Sequence, residues 1–187
     1  MKIYEKLANL LEYPEPGIIF DYLDECQALG SGKMQSLFQA FRGQLDQMGI
    51  PHLQELYVET FDFHAETSPY VGHHLFGEEI RRNLFMAQLR GRYRESGFAD
   101  TTELPDHLAN VLRFLTAIGT GEEQTELIHR CLIPALRHMM RALKPDNSYT
   151  LLFEAILLAF RQEDTSVLAD GEIEWKPFSS LSSPTSR

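Results

Sequence analysis

The stretch "MQSLFQAFRGQLDQM", residues 34–48, decides the fold. Met34, Leu37, Phe38, Phe41, Leu45 and Met48 recur at spacings of three and four. Such spacing draws one apolar stripe down an amphipathic helix and fits no strand. "LGSGK" before it and "MGIP" after it carry the glycines and proline that interrupt a chain.

The same period runs outward in both directions. Ile3, Leu7, Leu10 and Leu11 form a stripe that "EYPEPG" ends, because proline lacks a donor and restricts the residue before it. A short helix is predicted over 17–28, with Ile18, Ile19, Tyr22 and Leu23 inward. Another spans 52–62, with Leu53, Leu56, Tyr57 and Phe61 on one side. "HAETSPYVGHH" reads as a loop. A long helix follows over 76–96, with Ile80, Leu84, Leu89 and Tyr93 inward and Arg81, Arg82, Arg90, Arg92 and Arg94 on its polar face. Leu108, Val111, Leu112 and Leu115 mark the next helix. The run from Thr120 to Leu143 is helical, with Pro134 as a predicted kink, and "SYTLLFEAILLAF" at 148–160 is the last strong helix. No alternation of polar and apolar residues suggests a strand. The expected architecture is all-α, a single domain over 1–164 with about six to eight helices. The tail, 165–187, reads as flexible, with Trp175 and Phe178 as residues able to tack it down.

Composition narrows the function. The chain has 187 residues, 17 basic and 27 acidic, for a formal net charge of −10. That balance disfavours nucleic acid and anionic membranes and favours a basic partner. The arginines of 81–94 alternate with Glu78, Glu79 and Glu95, as on a solvated helical face. No apolar run approaches the roughly 18 residues of a spanning helix. "MKIYEKLANLLEYP" has the helical period of a surface helix rather than of a signal peptide, so the cytoplasm is the expected location. Cys26 and Cys131 form no metal spacing and no disulfide framework.

"ELPDHL", residues 103–108, is the stretch most suggestive of chemistry. Pro105 fits a first helical turn, and Asp106 there would meet free N–H groups. Asp106 beside His107 suggests a hydrolase, but helix neighbours point about 100° apart and no nucleophile accompanies them. His64, His73, His74 and His107 lack the HxxxH or HExxH spacing of a metal pair. No phosphate-binding glycine motif is present; Lys33 in "GSGKM" is an incomplete echo. No cofactor is expected.

Five segments together carry a resemblance: "LLEYPEP" at 10–16, "ELYVETFD" at 55–62, "HHLFGEEIRRNLFMAQLRGRYRESGF" at 73–98, "ELPDHLANVLRFL" at 103–115 and the final helix. In this order they resemble the nitrate reductase delta subunit family. Those NarJ-type chaperones are a branch of the TorD/DmsD superfamily of redox enzyme maturation proteins. The resemblance implies an all-helical, non-enzymatic protein. It implies a partner, the apo catalytic subunit of a molybdopterin oxidoreductase, bound at a signal-like N-terminal peptide until the molybdenum cofactor is inserted. Client-binding residues implied by the motifs are Tyr57, Phe61 and Asp62; Phe76, Glu78 and Arg81, with Gly77 between them; and Glu103, Pro105, Asp106 and His107. Tyr70 joins the aromatic residues suited to an apolar groove.

Alternative readings stand beside these. Tyr57 and Phe61 also suit a core, Asp62 a helix end, Gly77 a turn, and Arg81 an internal ion pair. A metal-dependent hydrolase and a static structural subunit are the competing functions. A homodimer is compatible with the chain.

Overall fold

The computed structural model describes residues 3–78, 80–99 and 103–163. The flexible-tail reading, with Trp175 and Phe178, therefore falls outside the described residues, as does Glu79. The described chain is all-helical, and its one pairing of extended residues is the isolated bridge of Tyr70 with His107.

The helices are α1 (Ile3–Asn9), α2 (Ile18–Leu29), α3 (Lys33–Met48), α4 (Ile50–Phe61), α5 (Val71–Phe76), α6 (Ile80–Glu95), α7 (Leu108–Ile118), α8 (Glu122–Leu127), α9 (Ile133–Ala142) and α10 (Tyr149–Glu163). A π turn, Ile128–Leu132, joins α8 to α9 without a break. The expected kink at Pro134 thus takes the form of a widened turn just before it. Proline brings no N–H and directs its ring at the carbonyl four residues back, which a regular α turn does not accommodate. α5 begins inside the stretch read as a loop and runs two residues past it, because six residues are too few to display a helical period.

The stripe of α3 is buried as its spacing demands: Met34, Leu37, Phe38, Phe41 and Leu45 face inward against α2 and α10. Each such side chain contributes about 1.5–3 kcal/mol by leaving water. Around Phe41 an aromatic cluster joins three helices. Phe61 stands 4.7 Å from Tyr149, 4.9 Å from Tyr57 and 6.2 Å from Phe153, mostly in edge-on geometries. Such pairs stabilise beyond the area they bury. Tyr57 also donates its hydroxyl hydrogen to the Leu11 carbonyl at 3.2 Å, tying α4 to the end of the first helical segment.

Two expected stripes hold only in part: Ile19 and Leu23 of α2, and Leu89 and Tyr93 of α6, are buried as expected. In α2, Ile19, Leu23 and Cys26 are buried while Ile18 is exposed. In α6 the inward residues are Phe85, Leu89 and Tyr93, whereas Ile80 is 77% and Leu84 57% exposed. The reason is aromatic packing at both ends of α6. Phe85 stacks at 5.6 Å on Phe76 of α5, and Tyr93 lies 4.6 Å from Phe114 of α7. These contacts fix the rotation of α6 and carry Arg82 inward with them.

Candidate functional site

The segment 103–107 is stitched to the segment 69–71 before it reaches α7. Val71 N–H donates to the Asp106 carbonyl at 2.8 Å, and Leu108 N–H donates to the Pro69 carbonyl at 2.7 Å. The Tyr93 hydroxyl donates to the Pro105 carbonyl at 2.7 Å, and the Asn110 amide to the Leu104 carbonyl at 3.0 Å. These bonds hold His107 extended, so α7 begins at Leu108 with His107 as its cap. The expectation that Pro105 and Asp106 sit in the first helical turn is corrected: both precede the helix. Their backbone groups are spent on the 69–71 segment and on Tyr93 instead.

Asp106 is wholly buried, at 0% exposure. Its Oδ2 accepts the Arg82 Nε hydrogen at 3.0 Å. Arg82 continues outward, donating from its terminal nitrogen to Glu78 Oε1 at 2.9 Å, and lies over the Tyr70 ring at 5.5 Å. His73 Nδ1 is 3.0 Å from the same Glu78 oxygen. The row runs from a buried carboxylate through a guanidinium to an exposed carboxylate. Burial of the inner charge is tolerable only because it is paired.

Gly72 is the close-approach point of this arrangement. A Cβ there would stand 2.7 Å from Asp106 Oδ2, 3.0 Å from Phe85 Cδ1 and 3.1 Å from Arg82 Cγ. Only glycine lets α5 lie this near the ion pair. Gly77, at φ 61°, ends α5 in the left-handed region, which confirms its reading as a turn residue.

The candidate residues therefore divide by burial. Asp62, Glu78, Arg81 and Glu103 are exposed, while Tyr70 and Phe76 are half-buried. Tyr70 donates its hydroxyl hydrogen to Glu103 Oε2 at 3.2 Å and meets the His107 ring edge-on at 5.5 Å. Tyr57, Phe61, Pro105, Asp106 and His107 are buried. Tyr57 and Phe61 take the core alternative, and Asp62 is the residue that closes α4, its N–H donating to the Val58 carbonyl. A direct contact between Asp106 and a partner's arginine does not fit this conformation, since the carboxylate faces Arg82 rather than solvent.

Arg82 was missed from the sequence, where Arg81 took its place in the motif. A signal was there: positions 82, 85, 89 and 93 share one face, so Arg82 continues the stripe of Phe85, Leu89 and Tyr93.

Asp106 and His107 form no catalytic dyad. Asp106 Oδ1 and His107 Nδ1 each lack a hydrogen-bond partner among the described residues, so they do not bond one another. Burial lowers the His107 pKa, favouring the neutral ring. Among the described residues no group of three or more His, Cys, Asp or Glu is placed to hold a metal ion. No described helix is long and apolar enough to cross a membrane. Cys26 and Cys131 are buried free thiols, each pushed up to about 12 chiefly by desolvation.

A histidine pair adjoins the site. His74 Nε2 lies 2.6 Å from the Ser68 carbonyl, and its Nδ1 lies 3.1 Å from Nδ1 of His138 on α9. The carbonyl requires Nε2 to carry a proton, leaving Nδ1 as an acceptor from His138. Burial lowers the His74 pKa from 6.5 to about 4. An unfolded chain protonates this histidine near 6.5 and the folded chain only near 4. The unfolded state thus binds more protons between those values, and stability falls as pH drops through that window. Above it the contribution is complete. Urea midpoints measured from pH 7.5 down to 4.5 are expected to show this fall, and His74→Gln is expected to flatten it. An equally steep fall in the variant would assign it to other groups.

The described residues form an all-helical domain in which a hydrogen-bonded segment presents Glu103 at the surface and buries Asp106 against Arg82. The family model described as nitrate reductase delta subunit matches residues 26–144, and the chain belongs to that family, within the TorD/DmsD superfamily. The chain is also similar to the "Probable nitrate reductase molybdenum cofactor assembly chaperone NarJ" of Bacillus subtilis (strain 168). That protein is 27% identical over 175 residues, which are 91% of this chain and 95% of the relative.

Proposed function

We propose that this protein is an assembly chaperone for a nitrate reductase. It binds the catalytic subunit while that subunit is still without its molybdenum cofactor, and holds it until the cofactor is inserted. The observation that carries this reading is the family match over 26–144, which contains every candidate residue from Tyr57 to His107. The near end-to-end similarity to the chaperone of Bacillus subtilis supports it. A protein that must release its client intact has use for a surface that binds without reacting, and the paired, buried Asp106 suits that need.

The client contact is an N-terminal, signal-like peptide, basic at one end and apolar at the other. Glu103, Glu78 and Asp62 are exposed carboxylates that suit its basic end, by charge-assisted hydrogen bonds. Tyr70 and Phe76, half-buried beside them, suit its apolar end. Arg81 lies exposed on the same motif. Pro105, Asp106 and His107 position the segment that presents Glu103. The work is done in the cytoplasm, before the client is attached to the membrane or exported.

Native co-purification from cells with and without molybdenum-cofactor synthesis tests the reading. The catalytic subunit is expected to co-purify, and in greater yield when cofactor synthesis is blocked. Its absence from the purified protein under both conditions would overturn the proposal. Permanent retention in the mature oxidoreductase would instead make this chain a structural subunit.

A further inference from the structure

A cleft of about 530 Å³ opens between the end of α4, the turn that follows it and the connection from α9 to α10. Its volume lies within the roughly 300–1,000 Å³ of ordinary ligand pockets. It is built from other residues than the 103–107 segment. Met48, Leu56 and Leu143 supply an apolar lining. The inner polar groups satisfy one another: Thr67 donates its hydroxyl hydrogen to the Thr60 carbonyl, and the Asn147 amide donates to Thr60 Oγ1 at 2.8 Å. An occupant therefore has no unmet polar group to serve at the floor.

The unmet charge lies at the walls. Glu59, Glu66 and Asp146 all line the cleft. Glu66 and Asp146 form no ion pair among the described residues, and Glu59 is paired with Lys144. Both members of that pair are more than half exposed, so the pair is weakly held. Lys144 and His64 are the other titratable groups of the lining, leaving three carboxylates facing one ammonium when His64 is neutral.

We propose that this cleft is a socket for a basic residue carried on an apolar segment of a partner polypeptide, and that Lys144 is its displaceable internal occupant. An arginine or lysine has an aliphatic stem for Leu56 and Leu143 and a cationic head for the carboxylates. An apolar neighbour in the partner chain covers the rest of the lining. The net charge of −10 draws such a segment toward the protein before contact. When the partner's cation takes Glu59, Lys144 swings to solvent, so release requires no more than its return. The proposal rests on the chaperone reading and assigns the client a second holding point, away from the 103–107 segment.

The test uses the full chain and a labelled synthetic peptide of two arginines followed by leucines, with binding read by fluorescence anisotropy at low salt. Lys144→Ala is expected to tighten binding about two- to fivefold, since it removes the competitor. The triple variant Glu59→Gln, Glu66→Gln, Asp146→Asn is expected to weaken it by roughly tenfold. Replacing the peptide's arginines with citrulline is expected to erase the difference between the variants. Equal affinity of wild type, Lys144→Ala and the triple variant would overturn the socket, as would failure of the wild type to bind the peptide. Capture of the apo catalytic subunit by the same triple variant tells the two readings apart. If the triple variant binds the peptide as tightly as wild type does while both capture the subunit, only the socket falls; if wild type captures nothing, the chaperone reading falls with it.

Discussion

Arg82→Met is expected to cost about 3–5 kcal/mol of folding stability, read as a lowered urea midpoint. Methionine keeps most of the aliphatic stem, so packing against α5 is largely retained and the loss is electrostatic. Asp106 has no exposed surface, and Arg82 is its partner at 3.0 Å. Without the guanidinium, the carboxylate is left buried with neither a counter-charge nor water. The same substitution at Arg81 is expected to cost less than about 1 kcal/mol, as for an exposed side chain. The double variant Arg82→Met, Asp106→Leu should recover most of the loss, because an apolar pair of similar volume replaces a buried ion pair at little cost. It also separates structure from recognition. If the double variant folds stably and still captures the client, Asp106 is a positioning residue and no part of the binding surface. A loss below about 1 kcal/mol in Arg82→Met would show that water reaches Asp106 and that the pair is dispensable.

The contrast between Arg81 and Arg82 also shows where sequence reading stops. α3 was legible because its stripe is uninterrupted: Met34, Leu37, Phe38, Phe41 and Leu45 are apolar and all are buried. α6 was legible only in part, at Leu89 and Tyr93, because apolar residues lie on two of its faces. Ile80 and Leu84 fit one helical stripe, while Phe85, Leu89 and Tyr93 fit another, and the period alone does not choose. The choice is made by Phe76 and Phe114, which sit on other helices. Likewise, "ELPDHL" is a fair helix start by composition, yet the backbone partners that displace the start to Leu108 come from Pro69 and Val71. Local chemistry was readable, and long-range hydrogen bonds were not. Gly72 illustrates the same limit, since its need for a missing side chain appears only once Asp106 is above it.

The buried position of Asp106 changes how the motif is understood. A sequence motif rich in charge invites assignment of each charge to the partner. Here the inner carboxylate orders the segment, and the outer ones, Glu103 and Glu78, lie exposed at the surface. The cost of burying one charge is offset within the protein by Arg82, and on the proposed function a segment ordered in this way would lose less entropy when a client docks. At the cleft near Glu59 the arrangement is the opposite, with both members of the Glu59–Lys144 pair exposed.

Phe61→Ala is expected to destabilise the fold by about 3–5 kcal/mol, the range for truncating a buried phenylalanine. Phe61 is 3% exposed, and its ring meets Tyr57, Tyr149 and Phe153. Truncation leaves a cavity at the point where α4 and α10 join, and neither helix can close it without moving the other. The two readings of this residue predict different data. As a wall of the client groove, it would lose capture with little change in urea midpoint. As a core residue, it loses stability first, and capture at low temperature persists in the fraction that remains folded. Phe61→Leu sharpens the distinction. It restores most of the volume but not the edge-on ring contacts, so about half of the lost stability should return. Capture per folded molecule should equal that of wild type. Full stability together with abolished capture in either variant would return Phe61 to the binding surface and require the aromatic cluster to open when the client docks.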